Sequence, residues 1–299
     1  MSKVIVRMKG GLGNQLFCYA AARRLAMVNG AELVIDDVTG FVRDTQYRRR
    51  YMLDRFNIKA RKATPTERME PFERCRRALM KYLSCGKPFG KRSYLEQGGL
   101  DLDERLLTVK VKGTFYLDGL WQSESYFKDI EKIIREDLRI DPLDDVVNQG
   151  VAQRILGCNA VAVHVRWFDV PGHEGVYNIS KDYYQRAIDL MEKKITRPHY
   201  FLFSDDPVSA QSKISFPDGR LTCVAHNGGD EKAYADLWLM SQCRHFITAN
   251  STFSWWGAWL GQAEDKIVVA PEFHAEGKAA WGFKGLIPPQ WTVVNGTCA

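Results

Sequence analysis

Apolar residues in this chain come in short runs that alternate with helical stripes. Val4-Ile5-Val6 is a strand-like run. Gly10-Gly11-Leu12-Gly13 breaks it, and Leu16, Ala20 and Met27 then fall near a helical repeat. Gly30 stands where a helix end favours a left-handed glycine. Leu33-Val34-Ile35 follows as a second strand, completing a βαβ-like unit. Gly113 to Leu117 reads as another strand. Phe127, Ile130, Ile134 and Leu138, at i, i+3, i+7 and i+11, predict a helix that stops near Pro142.

The second half alternates more plainly. Val161 to Val165, Tyr200 to Phe203, Leu221 to Val224 and Phe246 to Thr248 read as strands, with Ile267 to Ala270 as the last one. Between them lie a helix capped by Ser180 with Tyr184, Ala187, Ile188 and Met191 on one stripe, a helix over Asp230 to Ser241, and a Trp-rich helix from Ser251 to Gly261. Such alternation predicts a parallel sheet covered by helices. Two halves of this kind predict an α/β chain of two Rossmann-like lobes with a cleft between them. The polar stretch Asp141 to Gly150 marks the expected boundary, giving lobes 1–145 and 146–299.

Composition narrows this little. The 299 residues are 45% hydrophobic and 26% charged, ordinary globular values that exclude a disordered tail, a collagen-like rod or a small disulfide scaffold. Lys3, Arg7 and Lys9 interrupt the first apolar run, so no signal peptide is expected, and no stretch is long and apolar enough to predict a membrane span. The seven cysteines are scattered without a C-x-x-C pair, which fits reduced thiols in a cytoplasmic protein. On that reading the sequons at Asn178, Asn250 and Asn295 are chance matches. Charge is uneven. The net is +6, yet residues 43–92 hold 16 Lys and Arg against 5 Asp and Glu, which leaves −5 for the rest. That segment is either a solvated, partly helical insertion or a landing surface for an anionic glycolipid, membrane or phosphate ligand. No nucleic-acid-binding signature accompanies it, so no nucleic-acid partner is expected.

In open α/β sheets ligands sit beyond the carboxyl ends of strands, a rule that selects four segments. Gly10-Gly11-Leu12-Gly13-Asn14 turns a strand into a helix N-terminus and suits an anion. It half-matches a dinucleotide fingerprint, with Asp36 as the ribose-binding acid, but Leu16 replaces the third glycine. His164-Val165-Arg166-Trp167-Phe168-Asp169 leaves a buried strand; its guanidinium can grip a diphosphate bidentately, or simply pair with an acid at the surface. Ser204-Asp205-Asp206 ends the next strand, where paired acids bind sugar hydroxyls or metal, or cap a helix. Asn250-Ser251-Thr252-Phe253-Ser254 places hydroxyls at a helix N-terminus, a phosphate cradle. Trp255, Trp256 and Trp259 behind them are read mainly as core.

Taken in order, Lys9-Gly10-Gly11-Leu12-Gly13-Asn14-Gln15-Leu16-Phe17, His164-x-Arg166-x-x-Asp169, Phe203-Ser204-Asp205-Asp206 and Asn250 through Trp259 resemble the bacterial α-1,2-fucosyltransferase family, glycosyltransferase family 11. Gly119 to Ser123 and Ile287 to Trp291 also resemble its segments. The resemblance implies a GT-B-type fold, with the N-terminal lobe on the acceptor side and the C-terminal lobe binding donor. It implies inverting transfer of L-fucose from GDP-β-L-fucose to a galactose 2-hydroxyl of a glycan acceptor, with no cofactor and no obligatory metal. By the same resemblance Arg166 holds the β-phosphate, His164 and Asp236 address the guanosine, and Gly11, Gly13 and Asn14 lie over the sugar-phosphate. Asp205 and Asn250 are counted with the donor site, and Ser251, Thr252 and Ser254 lie around the diphosphate. The base is Asp169, Glu174 or neither. One departure stands out: Trp167 and Phe168 occupy positions where the family commonly has Arg-Gly, removing a second cation and altering the acceptor side. The competing readings are a nicotinamide-dependent oxidoreductase, resting on the glycine turn and Asp36, and a sugar-nucleotide-binding module without catalysis. The expected location is cytoplasmic, with peripheral contact at the inner membrane through 43–92.

Overall fold

A computed structural model describes residues 1–167, 178–272 and 281–296. The chain divides into two units: Met1–Arg139 with Lys284–Leu286, and Ile140–Phe283 with Ile287–Ala299.

The first unit contains β1 (Lys3–Arg7), α1 (Leu12–Val28), β2 (Glu32–Asp36), β3 (Arg61–Lys62), α2 (Glu73–Cys85), β4 (Tyr94–Glu96), β5 (Thr114–Asp118) and α3 (Glu131–Asp137). Its sheet runs β3-β2-β1-β5-β4, parallel throughout. Helix α1 is rich in alanine and buried around most of its circumference, the mark of a helix sunk in a core rather than laid on it. It ends as its glycine predicts. Gly30 has φ +57°, its N–H bonds Met27 O, and the Ala31 N–H bonds Ala26 O, which satisfies two terminal carbonyls at once.

The second unit contains α4 (Val146–Leu156), β6 (Ala160–Val165), α5 (Lys181–Lys194), β7 (His199–Ser204), α6 (Pro207–Lys213), β8 (Leu221–Val224), α7 (Ala233–Gln242), β9 (His245–Ile247), α8 (Thr252–Leu260), β10 (Val268–Glu272) and β11 (Thr292–Asn295). The order is β11-β10-β9-β6-β7-β8, again parallel. Strand alternation sends Val161, Val163 and Val165 to one face, where they pack with Tyr200, Leu202, Ile247 and Val269 beneath Tyr183, Tyr184, Ala187, Ile188 and Met191 of α5. The Tyr183 hydroxyl bonds the carbonyls of Thr248 (2.7 Å) and Val269 (3.1 Å), tying α5 to two strand ends.

Within the polar stretch 141–150, Asp145 caps a helix by accepting the Asn148 N–H, and α4 begins at Val146. Two expectations are corrected. The helix expected from Phe127 opens as 3-10 turns and becomes α-helical only at Glu131. Strand β10 is followed by β11, an edge strand whose alternating half-buried and exposed residues carry little apolar signal.

Leu202 is fully buried in the strand between β6 and β8. Leu202→Ala should cost about 2–5 kcal/mol, because a cavity there cannot be refilled from a close-packed sheet face. Urea unfolding would read this, and a loss below about 1 kcal/mol would show that the face repacks freely.

Candidate functional site

Strand register builds the centre of the second unit's site. Val165 of β6 lies opposite Ser204 of β7, so the chain leaves both strands side by side. Arg166 and Asp205 are the first residues out. Arg166 Nη1 meets Asp205 Oδ2 at 2.9 Å, and the Trp167 backbone N–H donates to the other carboxylate oxygen at 3.1 Å. Both side chains are 31% exposed, so the pair adds little to stability. Its effect is geometric: one carboxylate fixes both the guanidinium and the peptide after it. Asp206 does different work, capping α6 through the Ser209 N–H (3.0 Å) with Pro207 in the first turn. The two neighbouring acids are therefore an orienting group and a helix cap. Asp169 and Glu174, with Phe168, lie outside the described residues.

His164 is buried on the other face of β6, its ring 5.4 Å from that of Phe253 in α8. Burial, helped by the nearby Arg166 charge, pushes its pKa down from 6.5 to about 3. The imidazole is therefore neutral at any working pH. Its Nδ1 has no hydrogen-bond partner among the described residues. A buried polar atom in that condition is costly unless something bonds it.

Strand β9 neighbours β6 with Ile247 opposite Val163, so the turn into α8 leaves the sheet at the same edge. Ser251 is the N-cap of α8 and accepts the Phe253 N–H at 3.3 Å. Ser251 and Thr252 are half-buried, and Asn250 is buried. Ser254 is wholly buried: its hydroxyl bonds the backbone of Ala249 and Ser251, so it shapes the turn from below. A helix N-terminus flanked by Ser251 and Thr252 favours an anion. The tryptophans are core: Trp255 and Trp259 stack at 6.2 Å and Trp256 meets both edge-on, all three buried.

Asp236, in the first turn of α7, belongs to a network no spacing announces. Asn148 and Asn227, 79 residues apart, exchange amide hydrogen bonds of 2.8 and 3.0 Å. Asn227 also donates to Asp236 (3.0 Å), and His226 contacts the Asn148 carbonyl at 2.9 Å. Burial pushes the Asp236 carboxyl up from 3.8 to about 7, against a smaller opposing pull from the Asn227 amide.

In the first unit, Gly10 supplies the left-handed turn at φ +75°, where a Cβ would also strike Asn14. Gly11 is extended and caps α1, with the Arg49 guanidinium 2.7 Å from where its Cβ would stand. Gly13 is buried in the first helical turn. Asn14 accepts from Gln122 at 2.8 Å, which explains the nearness of the Gly119–Ser123 segment. Asp36 is taken up locally: its carboxylate accepts from the backbone of Val38 and Thr39, from the Thr39 hydroxyl and from Arg77. A ribose-binding role for it therefore has no support. Beside it Asp118 binds Lys9 (2.8 Å), Arg7 (3.2 Å) and Tyr94 (2.7 Å). Burial opposes ionisation there, yet these partners hold its pKa down to about 2.

Among the described residues no group of three or more His, Cys, Asp or Glu is placed to hold a metal ion, and no helix is long and apolar enough to cross a membrane.

Two parallel α/β sheets, one in each unit, make a GT-B-type fold. The chain belongs to glycosyl transferase family 11, whose family model matches residues 3–293. It is 32% identical to the O-antigen biosynthesis glycosyltransferase WbnK of Escherichia coli, over 88% of this chain and 92% of that protein. It is 29% identical to an α-1,2-colitosyltransferase of Escherichia coli, over 91% and 92%. Among solved structures it is similar in fold to the fucosyltransferase NodZ from Bradyrhizobium (TM-score 0.50, 15% identity, 86% of this chain and 91% of that one). It is likewise similar to Arabidopsis thaliana FUT1 in complex with GDP (TM-score 0.50, 16% identity, 92% and 71%).

The Asp236 shift has a sign that can be tested. The unfolded carboxyl ionises near 3.8 and the folded one near 7, so between those values folding must retain a proton that the unfolded chain has released. Stability falls as pH rises through that window and the penalty is complete above it. Asp236→Asn should flatten the slope, its stability relative to wild type rising from about pH 4 to about pH 7. Urea midpoints across that range measure it; parallel curves for the two proteins would mean that the carboxyl ionises freely.

Proposed function

We propose that this glycosyltransferase is inverting and moves L-fucose from GDP-β-L-fucose to the 2-hydroxyl of a terminal galactose, forming an α-1,2 linkage in O-antigen or oligosaccharide synthesis without an obligatory metal. The observation that carries the reading is the Arg166 guanidinium, held by Asp205 where β6 ends beside the N-terminus of α8. In an inverting transfer the acceptor oxygen attacks one face of the sugar while the nucleoside diphosphate leaves from the other. Positive charge grows on the ring and negative charge on the departing phosphate. A guanidinium oriented beforehand stabilises that growing charge without reorganising. Ser251, Thr252 and the first amides of α8 serve the same diphosphate. His164, neutral and with no partner for Nδ1 among the described residues, and Asp236, beside its paired amides, serve the nucleoside. The proton of the acceptor hydroxyl goes to Asp169, to Glu174 or to neither.

The relatives favour the linkage and the setting: one is named an α-1,2-colitosyltransferase and the other an O-antigen biosynthesis enzyme. The first also gives ground for a second reading, in which the donor sugar is colitose and the linkage is unchanged. Supplying GDP-fucose and GDP-colitose in parallel to a panel of galactosides, with linkage analysis of the product, decides between them. Product from neither donor would refute both readings.

Arg166→Ala should lower kcat by about 10²–10³ on the preferred donor, the usual loss when one positioned charge-stabilising donor is removed. Near-wild-type turnover would remove Arg166 from the reaction. Asp169→Asn and Glu174→Gln, assayed for transfer separately from GDP binding, sort the candidate bases. A base variant keeps its GDP affinity and loses turnover, because proton abstraction is not part of nucleotide binding.

A further inference from the structure

Helix α2 is built with its polarity reversed. Glu73, Arg77, Met80 and Ser84, at i, i+4, i+7 and i+11, form its half-buried to buried stripe. Arg77 on that stripe bonds Asp36 (3.2 Å), and the Ser84 hydroxyl accepts the Tyr94 N–H (3.2 Å). The opposite stripe is apolar and faces solvent: Phe72 is 72% exposed, Leu79 57%, Tyr82 78% and Leu83 54%, with Cys75 exposed among them. A surface helix of a globular protein ordinarily presents the reverse. Phe72 also carries φ +68°, a backbone region that bulky residues rarely enter. Leu79, Tyr82 and Leu83 share one helical face, with Phe72 exposed at the N-cap, unlike the scattered exposed leucines found on any protein.

Cations flank this stripe. Arg74, Arg76, Lys81 and Lys87 are exposed beside it, Lys81 paired with Glu96, and Lys91 follows just beyond. The single acid of the helix, Glu73, is on the inward side. An apolar stripe with basic margins is the chemistry of a helix lying in a bilayer interface, its apolar face among acyl chains and its cations at anionic headgroups. Nucleic acid would use the cations and leave the four apolar side chains in water.

We infer that the outward face of α2, from Phe72 to Leu83 with Arg74, Arg76 and Lys87, docks this enzyme on an anionic phospholipid bilayer. The inference stands on the helix alone and does not rest on the donor or acceptor proposed above.

The test is flotation of the full chain with vesicles of phosphatidylcholine alone and of phosphatidylcholine mixed with phosphatidylglycerol. The wild type should float only with the anionic vesicles and be released as salt rises. Leu79→Glu combined with Tyr82→Glu should lower partitioning about tenfold or more, since both changes remove apolar burial and add repelled charge. Arg74→Gln combined with Lys87→Gln should weaken it less and flatten the salt dependence. All of these positions are exposed, so an unchanged melting temperature verifies the fold of each variant. A wild type that stays in the soluble fraction, or a Leu79→Glu/Tyr82→Glu variant that floats as well as the wild type, overturns the inference. So does sedimentation showing that this face joins two copies of the chain while vesicles go unbound.

Discussion

The constraint on which the second unit's site depends is a pairing made by strand register. Two interior strands end side by side, and their next residues are an arginine and an aspartate 2.9 Å apart. A guanidinium at a strand exit has four side-chain torsions and would otherwise sample many directions. The Asp205 carboxylate removes that freedom and fixes the Trp167 peptide as well. As a source of stability the pair is minor, being a third exposed and screened. As an orienting device it matters more, because it holds in one direction a charge that would otherwise sample many.

Elsewhere in the second unit, burial sets the ionisation of two further groups. The same low-dielectric interior acts with opposite consequences on a base and an acid, and favours the neutral form of each. His164 is pushed toward its neutral form, and its Nδ1 has no hydrogen-bond partner among the described residues. Asp236 is poised near neutrality beside Asn148 and Asn227. In the first unit the outcome differs although the burial is similar. Asp118 has two cations and a phenol within hydrogen-bond reach and stays ionised. The number of donors within reach, more than depth, decides which buried acid keeps its charge.

What the sequence reveals follows from how local each signal is. Uniformly buried strands such as β6 and β7 are readable because both faces demand apolar residues, and the end of α1 is readable because a left-handed turn asks for glycine. Strand β11 is an edge with alternating exposure, and α4 begins in a stretch whose only helical signal is the Asp145 cap, so both escape a reading based on hydrophobic runs. The acid at the end of β2 looked like a ribose ligand, but its partners Thr39 and Arg77 are supplied by a loop and a helix that no motif specifies. Arg166 stands out by its place after a buried strand, whereas Asp205 as its partner requires knowing that β6 and β7 are in register. The amide pair Asn148–Asn227 has no local signature at all, since each residue is an ordinary surface type until the fold joins them.

The basic segment shows why a charge count is not a charge distribution. Of its cations, Arg61 is spent on Glu67 and Glu32, Lys62 on Asp37 and Asp54, Arg68 on Glu70, and Arg77 on Asp36. The more exposed of these pairs, such as Arg61–Glu32 and Lys62–Asp54, neutralise more than they stabilise. Part of the surplus lies at α2, where Arg74 and Arg76 stand exposed beside Leu79, Tyr82 and Leu83, while Arg43, Arg48, Arg50, Arg55 and Lys59 are exposed earlier in the segment. Charge alone would suit any polyanion, and apolar exposure alone would suit any hydrophobic partner. Their coincidence along one helical stripe is what limits the choice, because only an interface that is anionic at its surface and apolar a few ångströms below satisfies both.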